Sequence, residues 1–288
     1  MSIKFYIKKI VAFIVLTIII EVFVFYFSKL PRLAHYINSC NFFKTNIGSS
    51  ILWGYLQIVP LIIPVIISLL FIGVYLKNDC ITYLKMYNKQ WIKAIIIGVS
   101  HASIVMIIAF AFEIIGSFYT IQKNDNCNFM LLVIFFLGYI MQALKEEILY
   151  RGILFQSLSE KNSNIAVIIS AIMFSLSHWE NRGFSLLPGI SLFLFGIITC
   201  LLYRKTESIW SVVSFHCLWN YLQGYIGGIE ISGIEPETSI FSITYLSNNV
   251  FFTGGLFGIE GSIFCTGCLL ITMVLLLWDE RRTNCYEK

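Results

Sequence analysis

Residues 129–155 read FMLLVIFFLGYIMQALKEEILYRGILF, an apolar run long enough to cross a bilayer that nevertheless carries Lys145, Glu146, Glu147 and Arg151. About 20 apolar residues span a hydrocarbon core of ~30 Å. Even on lenient insertion scales each ionisable group at the centre of such a helix costs about 2.5 to 3.5 kcal/mol. Charges kept at that depth mark a functional site or a mutual clamp, so this stretch reads both as a membrane helix and as the holder of a candidate site.

Composition extends the same reading outward. The chain has 288 residues, 58% hydrophobic and 12% charged, with a mean hydropathy of +0.80. Ordinary soluble domains carry about 25% charged residues, which excludes that class. Eight apolar stretches follow one another: Ile10 to Phe27, Ile51 to Leu76, Trp91 to Phe118, Phe129 to Leu158, Ile165 to Trp179, Leu186 to Tyr203, Ile209 to Ile226 and Ile263 to Trp278. The expected fold is an all-α polytopic membrane protein of about eight transmembrane helices, a single transmembrane domain over residues 1–288. The fifth and sixth stretches are short. Lys4, Lys8 and Lys9 precede the first, but no small-residue cleavage site follows it, so it reads as a retained span. No repeat of 20 to 50 residues, heptad pattern or low-complexity linker interrupts the chain.

Placing the N-terminus inside leaves thirteen Lys and Arg on the cytoplasmic side (Lys4, Lys8, Lys9, Lys77, Lys85, Lys89, Lys93, Lys161, Arg204, Lys205, Arg281, Arg282 and Lys288) and five outside (Lys29, Arg32, Lys44, Lys123 and Arg182). By the positive-inside rule both termini are expected in the cytoplasm. The basic excess then reflects topology and gives no sign of nucleic-acid binding; the lipid bilayer is the expected surrounding partner. The longest outside segment, about Gly227 to Gly261, carries Glu230, Glu235, Glu237 and Glu260 without Lys or Arg. Cys265 and Cys268 form a CxxC inside the eighth span with no histidine nearby, which reads as helix packing.

Polar groups with helical spacing gather on three spans. Glu147 and Arg151, Phe174 and His178, and His216 and Asn220 are each four apart, so each pair shares a helix face. Glu147 and Arg151 can pair in low dielectric, while Glu146 is turned about 100° away. If the fourth and fifth spans form a hairpin with its tip near Asn162, Glu146 and His178 each lie roughly 24 Å from that tip at 1.5 Å per residue. From a second tip near Thr206, His216 lies about 15 Å in and Asn220 about 21 Å in. The four groups are therefore expected in one layer, between the midplane and the outer leaflet.

Glu146-Glu147-x-x-x-Arg151, Phe174-x-x-x-His178 and His216-x-x-x-Asn220, in that order on separate spans, resemble the three motifs of the CAAX-protease and bacteriocin-processing family of intramembrane proteases, which includes the Ras-converting enzymes. The motif-bearing core is residues 129–223. Thr253 to Ser262 (TGGLFGIEGS) is also similar to loops before the last span of bacterial members. The resemblance implies an intramembrane endopeptidase acting on a membrane-presented peptide or protein, and the compact loops suit a bacterial plasma-membrane member.

The residues themselves suit hydrolysis. A buried carboxylate can take a proton from water as it attacks a carbonyl, and Glu146 is the expected base. His178 is expected to hold or polarise that water, with His216 and Asn220 offering N–H donors to the oxyanion. These roles agree with what the resemblance implies. Glu147 and Arg151, beside Phe174, are expected to orient the site, and Arg151 is alternatively suited to a substrate carboxylate. The family is described both as metalloproteases and as metal-free glutamate proteases. No cofactor is favoured here, although Glu146, His178 and His216 would be the ligands of a zinc ion.

Structural readings stand beside these. Glu147 and Arg151 can be an interhelical clamp, and His101 a helix-packing residue. His35 reads as solvated, Pro60 and Pro64 as shaping a helix, and Glu21 and Glu113 acquire no role. Two other functions remain: a non-catalytic immunity protein that sequesters a bacteriocin-like peptide, and a proton-coupled transporter. The transporter is disfavoured by the concentration of polar residues in the second half of the chain.

Overall fold

The structure, a computed structural model, describes residues 3–28, 58, 60–87 and 89–286. His35, Lys29, Arg32, Lys44, Lys288 and most of the second stretch before Pro60 lie outside the described residues. The main helices are α1 (Ile3–Ser28), α2 (Pro60–Tyr75), α3 (Trp91–Ile115), α4 (Phe129–Ser159), α5 (Ser163–Leu176), α6 (Leu186–Thr206), α7 (Ile209–Tyr221) and α8 (Ile263–Tyr286). Among the described residues α3, α4, α6 and the first 20 residues of α8 are long and apolar enough to cross a membrane. The sixth expected span is thus longer than its sequence reading, with 21 residues. The fifth is shorter: α5 has 14 residues, about 21 Å at 1.5 Å per residue.

Local chemistry sets the helix ends. Asn128 accepts from the backbone N–H groups of Met130 and Leu131 to start α4, and Asn162 accepts from Ile165 to start α5, so the hairpin tip falls where expected. Glu207, left-handed at φ 49°, ends α6, and Ser208 caps α7. The π-helical run Ile148–Phe155, buried at all eight residues, lies inside α4 directly after Glu147. Such irregular turns recur at functional sites.

Helix α6 is buried continuously from Leu194 to Tyr203. A helix enclosed on every side belongs at a bundle centre, and α6 packs against both α5 and α8 while α7 packs along α3 and α4. Gly196 makes the α5 contact possible, because a Cβ there would lie 2.7 Å from the Ala171 Cα. Helix α1 turns Phe13, Leu16 and Ile20 inward, and Phe13 meets Tyr150 with ring centroids 5.5 Å apart.

One end of the bundle is basic and tied by ion pairs: Lys9–Glu160, Lys85–Glu207, Arg204–Glu280 and Lys205–Asp279. The other end carries a feature that a purely helical reading omits. Strands β1 (Tyr119–Lys123) and β2 (Phe241–Tyr245) pair antiparallel, with Tyr119 opposite Tyr245. The all-α expectation holds for the bundle, to which one small ribbon is added. Both strands lie in connectors between apolar stretches, where Thr, Ile and Tyr favour extended structure. Tyr119 donates its hydroxyl to the Thr253 carbonyl, and Tyr245 donates to Glu230 Oε2 at 2.7 Å. Burial pushes both phenols above their ordinary range, so both remain donors.

Candidate active site

Helices α4, α6 and α7, with the turn after α5, enclose a cavity of about 430 Å³ whose lining includes Glu146, His178, His216 and Asn220. The π-containing half of α4 presents two successive carboxylates in different directions, as the helical period requires. Glu146 projects to the cavity. Its Oε1 accepts from Gln142 Nε2 at 2.7 Å and lies 3.6 Å from Lys145 Nζ. Its buried Oε2 has no hydrogen-bond partner and stands 3.9 Å from His216 Nε2, too far for a direct hydrogen bond and short enough for one water to join the two.

Glu147 points into the protein and is fully buried with Arg151. Arg151 Nη1 lies 3.2 Å from both carboxylate oxygens, and Nη2 donates to the Gly196 carbonyl at 3.3 Å. The guanidinium also rests 4.5 Å from the Phe174 ring centre. Across this pair, His216 Nδ1–H donates to Glu147 Oε1 at 2.7 Å. Glu147 is therefore shared between Arg151 and His216, a link that reading Glu147 and Arg151 as an isolated pair does not contain.

The two histidines are held in the same way. His178 Nδ1 is 2.9 Å from the Phe174 carbonyl, so Nδ1–H is committed to the backbone and Nε2 is left free. This histidine sits past the end of α5, in the turn that follows Leu176, and not on the helix as its spacing from Phe174 suggests. The 14-residue helix ends a turn early, and the Phe174 carbonyl, freed from the helical ladder, becomes the partner of the imidazole. Phe174 and Phe195 stack at 5.4 Å and both face His216 edge-on, which restricts its ring. Asn220 Nδ2 donates to Gln142 Oε1 at 3.2 Å.

Gln142 thus bridges Glu146 and Asn220. Its position four residues before Glu146 on the same helix face was the available signal. Glu260 carried no such signal, standing in a stretch that reads as an acidic outer loop. It is 3% exposed: Oε2 accepts from Trp219 Nε1 at 2.9 Å and Gln223 Nε2 at 3.3 Å, and Oε1 accepts from Ser232. Gly258 permits this fold of the loop, with φ 99° and the Glu230 carbonyl 2.0 Å from where a Cβ would stand. Among residues given no role, Glu21 lines the cavity. Glu113 is buried with neither oxygen hydrogen-bonded, and His101 bonds its own helix at Ile97.

Among the described residues no group of three or more His, Cys, Asp or Glu is arranged to hold a metal ion. Glu146, His178 and His216, the residues that would hold a zinc ion, line one cavity without forming such a group.

Fold and site together define a helical membrane protein with a buried glutamate, histidine and asparagine constellation. Residues 128–222 match the family model described as Rce1-like, type II CAAX prenyl endopeptidase Rce1-like. This match, over about a third of the chain, supports its membership of the CAAX-protease family to which the Ras-converting enzymes belong. Comparison with curated proteins returns no match.

Proposed function

We propose that the chain is an intramembrane endopeptidase of eight spans, with both termini cytoplasmic, that hydrolyses a peptide bond in a membrane-presented peptide. The observation that carries this reading is the convergence of Glu146, His178, His216 and Asn220 on one cavity, with His216 clamped from behind by Glu147. In the proposed reaction water attacks the scissile carbonyl as Glu146 Oε2 takes its proton. His178 Nε2 orients that water. Asn220 Nδ2 has two hydrogens, one engaged by Gln142, and the second is offered to the oxyanion. When the tetrahedral intermediate collapses, the C–N bond breaks and Glu146 returns the proton to the leaving amine.

His216 takes a role different from the one its spacing suggests. With Nδ1–H given to Glu147, only Nε2 faces the cavity, and it donates to an oxyanion only as an imidazolium.

The reading is tested by comparing the small peptides of membranes that express the wild-type chain with those expressing Glu146→Gln. New C-termini confined to the wild type are expected. A binding protein without catalysis would leave the two peptide sets identical.

A further inference from the structure

The cavity extends beyond the four polar groups of the proposed reaction, and its far end has a chemistry of its own. Among the described residues four carboxylates line it, Glu21, Glu146, Glu237 and Glu260, against a single ammonium, Lys145. Glu260 is buried and satisfied only by neutral donors. Glu237 is at the exposed rim and accepts from the Tyr225 hydroxyl at 2.9 Å. Among the described residues neither forms an ion pair. Tyr139 and Tyr225, ring centroids 5.4 Å apart, line the same end. Buried Glu146 Oε2 faces the same space without a hydrogen-bond partner.

Burying carboxylates without cations is costly unless something compensates, and a carboxylate beside aromatic faces is the environment that holds an ammonium or guanidinium. Resting on the protease reading, we infer that Glu237, Glu260, Tyr139 and Tyr225 form a subsite for a cationic side chain, lysine or arginine, of the substrate peptide. Its distance from the scissile bond follows from α4. Tyr139 lies seven residues before Glu146, about 10 Å along the helix. An extended peptide covers about 3.3 to 3.6 Å per residue, so the cation belongs about three residues from the bond cleaved. The same field repels a free terminal carboxylate, which distinguishes this cavity from one built to grip a C-terminal tail.

The test separates binding from turnover by using the Glu146→Gln protein in nanodiscs. The probes are N-myristoylated, fluorescein-labelled decapeptides of one mixed sequence that carry Lys, Gln or Glu at a single position. The Lys peptide is expected to bind at least ten-fold tighter than the Gln peptide, and the Glu peptide weakest. Added Glu237→Lys should reverse the order, and added Glu260→Gln should shrink the Lys advantage. Because Glu237 is at the rim, its variant keeps the test valid even if the Glu260 variant fails to fold. Equal binding of Lys and Gln peptides, or a Lys preference that survives Glu237→Lys, overturns the subsite. Wild-type protein incubated with the same peptides reports the parent reading separately: a Lys preference without cleavage would leave the subsite standing and remove the protease.

Discussion

Arg151→Met is the perturbation whose cost follows most directly from the geometry. Glu147 and Arg151 are both fully buried and 3.2 Å apart. Removing one partner of such a pair strands the other charge and costs about 3 to 5 kcal/mol. Arg151→Met also loses the cation–π contact with Phe174, at 4.5 Å, which is worth about 2 kcal/mol when desolvated. Glu147→Gln strands the guanidinium instead, although the glutamine oxygen still accepts from His216. In the double variant neither charge is stranded, and the Phe174 loss is common to the Arg151 single and the double, so it cancels in the cycle. The double variant should therefore cost less than the sum of the two singles, with a coupling energy of about 3 kcal/mol or more, at or beyond the upper end for neighbouring residues. Equilibrium unfolding in mixed detergent micelles, followed by tryptophan fluorescence, measures all four corners. Additive losses would refute the buried Glu147–Arg151 pair.

Three further outcomes follow from single positions. Gln142→Ala removes both hydrogen bonds that align Glu146 and Asn220, and turnover should fall about 10- to 100-fold with the unfolding midpoint nearly unchanged; normal turnover would show that the bridge is incidental. Gly196→Val forces side-chain atoms into Ala171 and should destabilise by about 1 to 3 kcal/mol, read as a lowered midpoint in the same micelles. Single cysteines at Arg182 and Lys205, in a background lacking native cysteines, should label from outside intact cells at Arg182 only, and labelling confined to Lys205 would invert the proposed topology.

What was legible in the sequence was whatever repeats with a helical period or pays a membrane penalty. Four of the apolar stretches coincide with helices long and apolar enough to cross a membrane among the described residues, and two of the three four-residue spacings, Phe174 with His178 and His216 with Asn220, picked out groups that line one cavity. The two expected tips, near Asn162 and Thr206, fall beside the residues that cap the following helices, Asn162 and Ser208. The omissions have a common physical cause. The β1–β2 ribbon, Glu260 and the turn that holds His178 belong to connectors, where position is set by tertiary contacts. Which partner Glu147 takes depends on the approach of α7 to α4, and no spacing within α4 encodes that. Gln142 was recoverable from its distance to Glu146; Phe195 and Trp219 were not, because aromatic residues in an apolar span carry no periodic signal that separates cavity wall from lipid-facing surface.

The central claim is that Glu146 moves the proton in a hydrolysis carried out inside the bundle. Purified wild-type protein and Glu146→Gln, reconstituted in proteoliposomes with the same membrane-anchored peptide and shown to unfold at matching midpoints, provide its most direct measurement. Turnover by the variant should be lower by about 10²- to 10⁴-fold, the range expected when a general base is lost, with peptide binding retained. Turnover by Glu146→Gln within a few-fold of wild type would contradict the account.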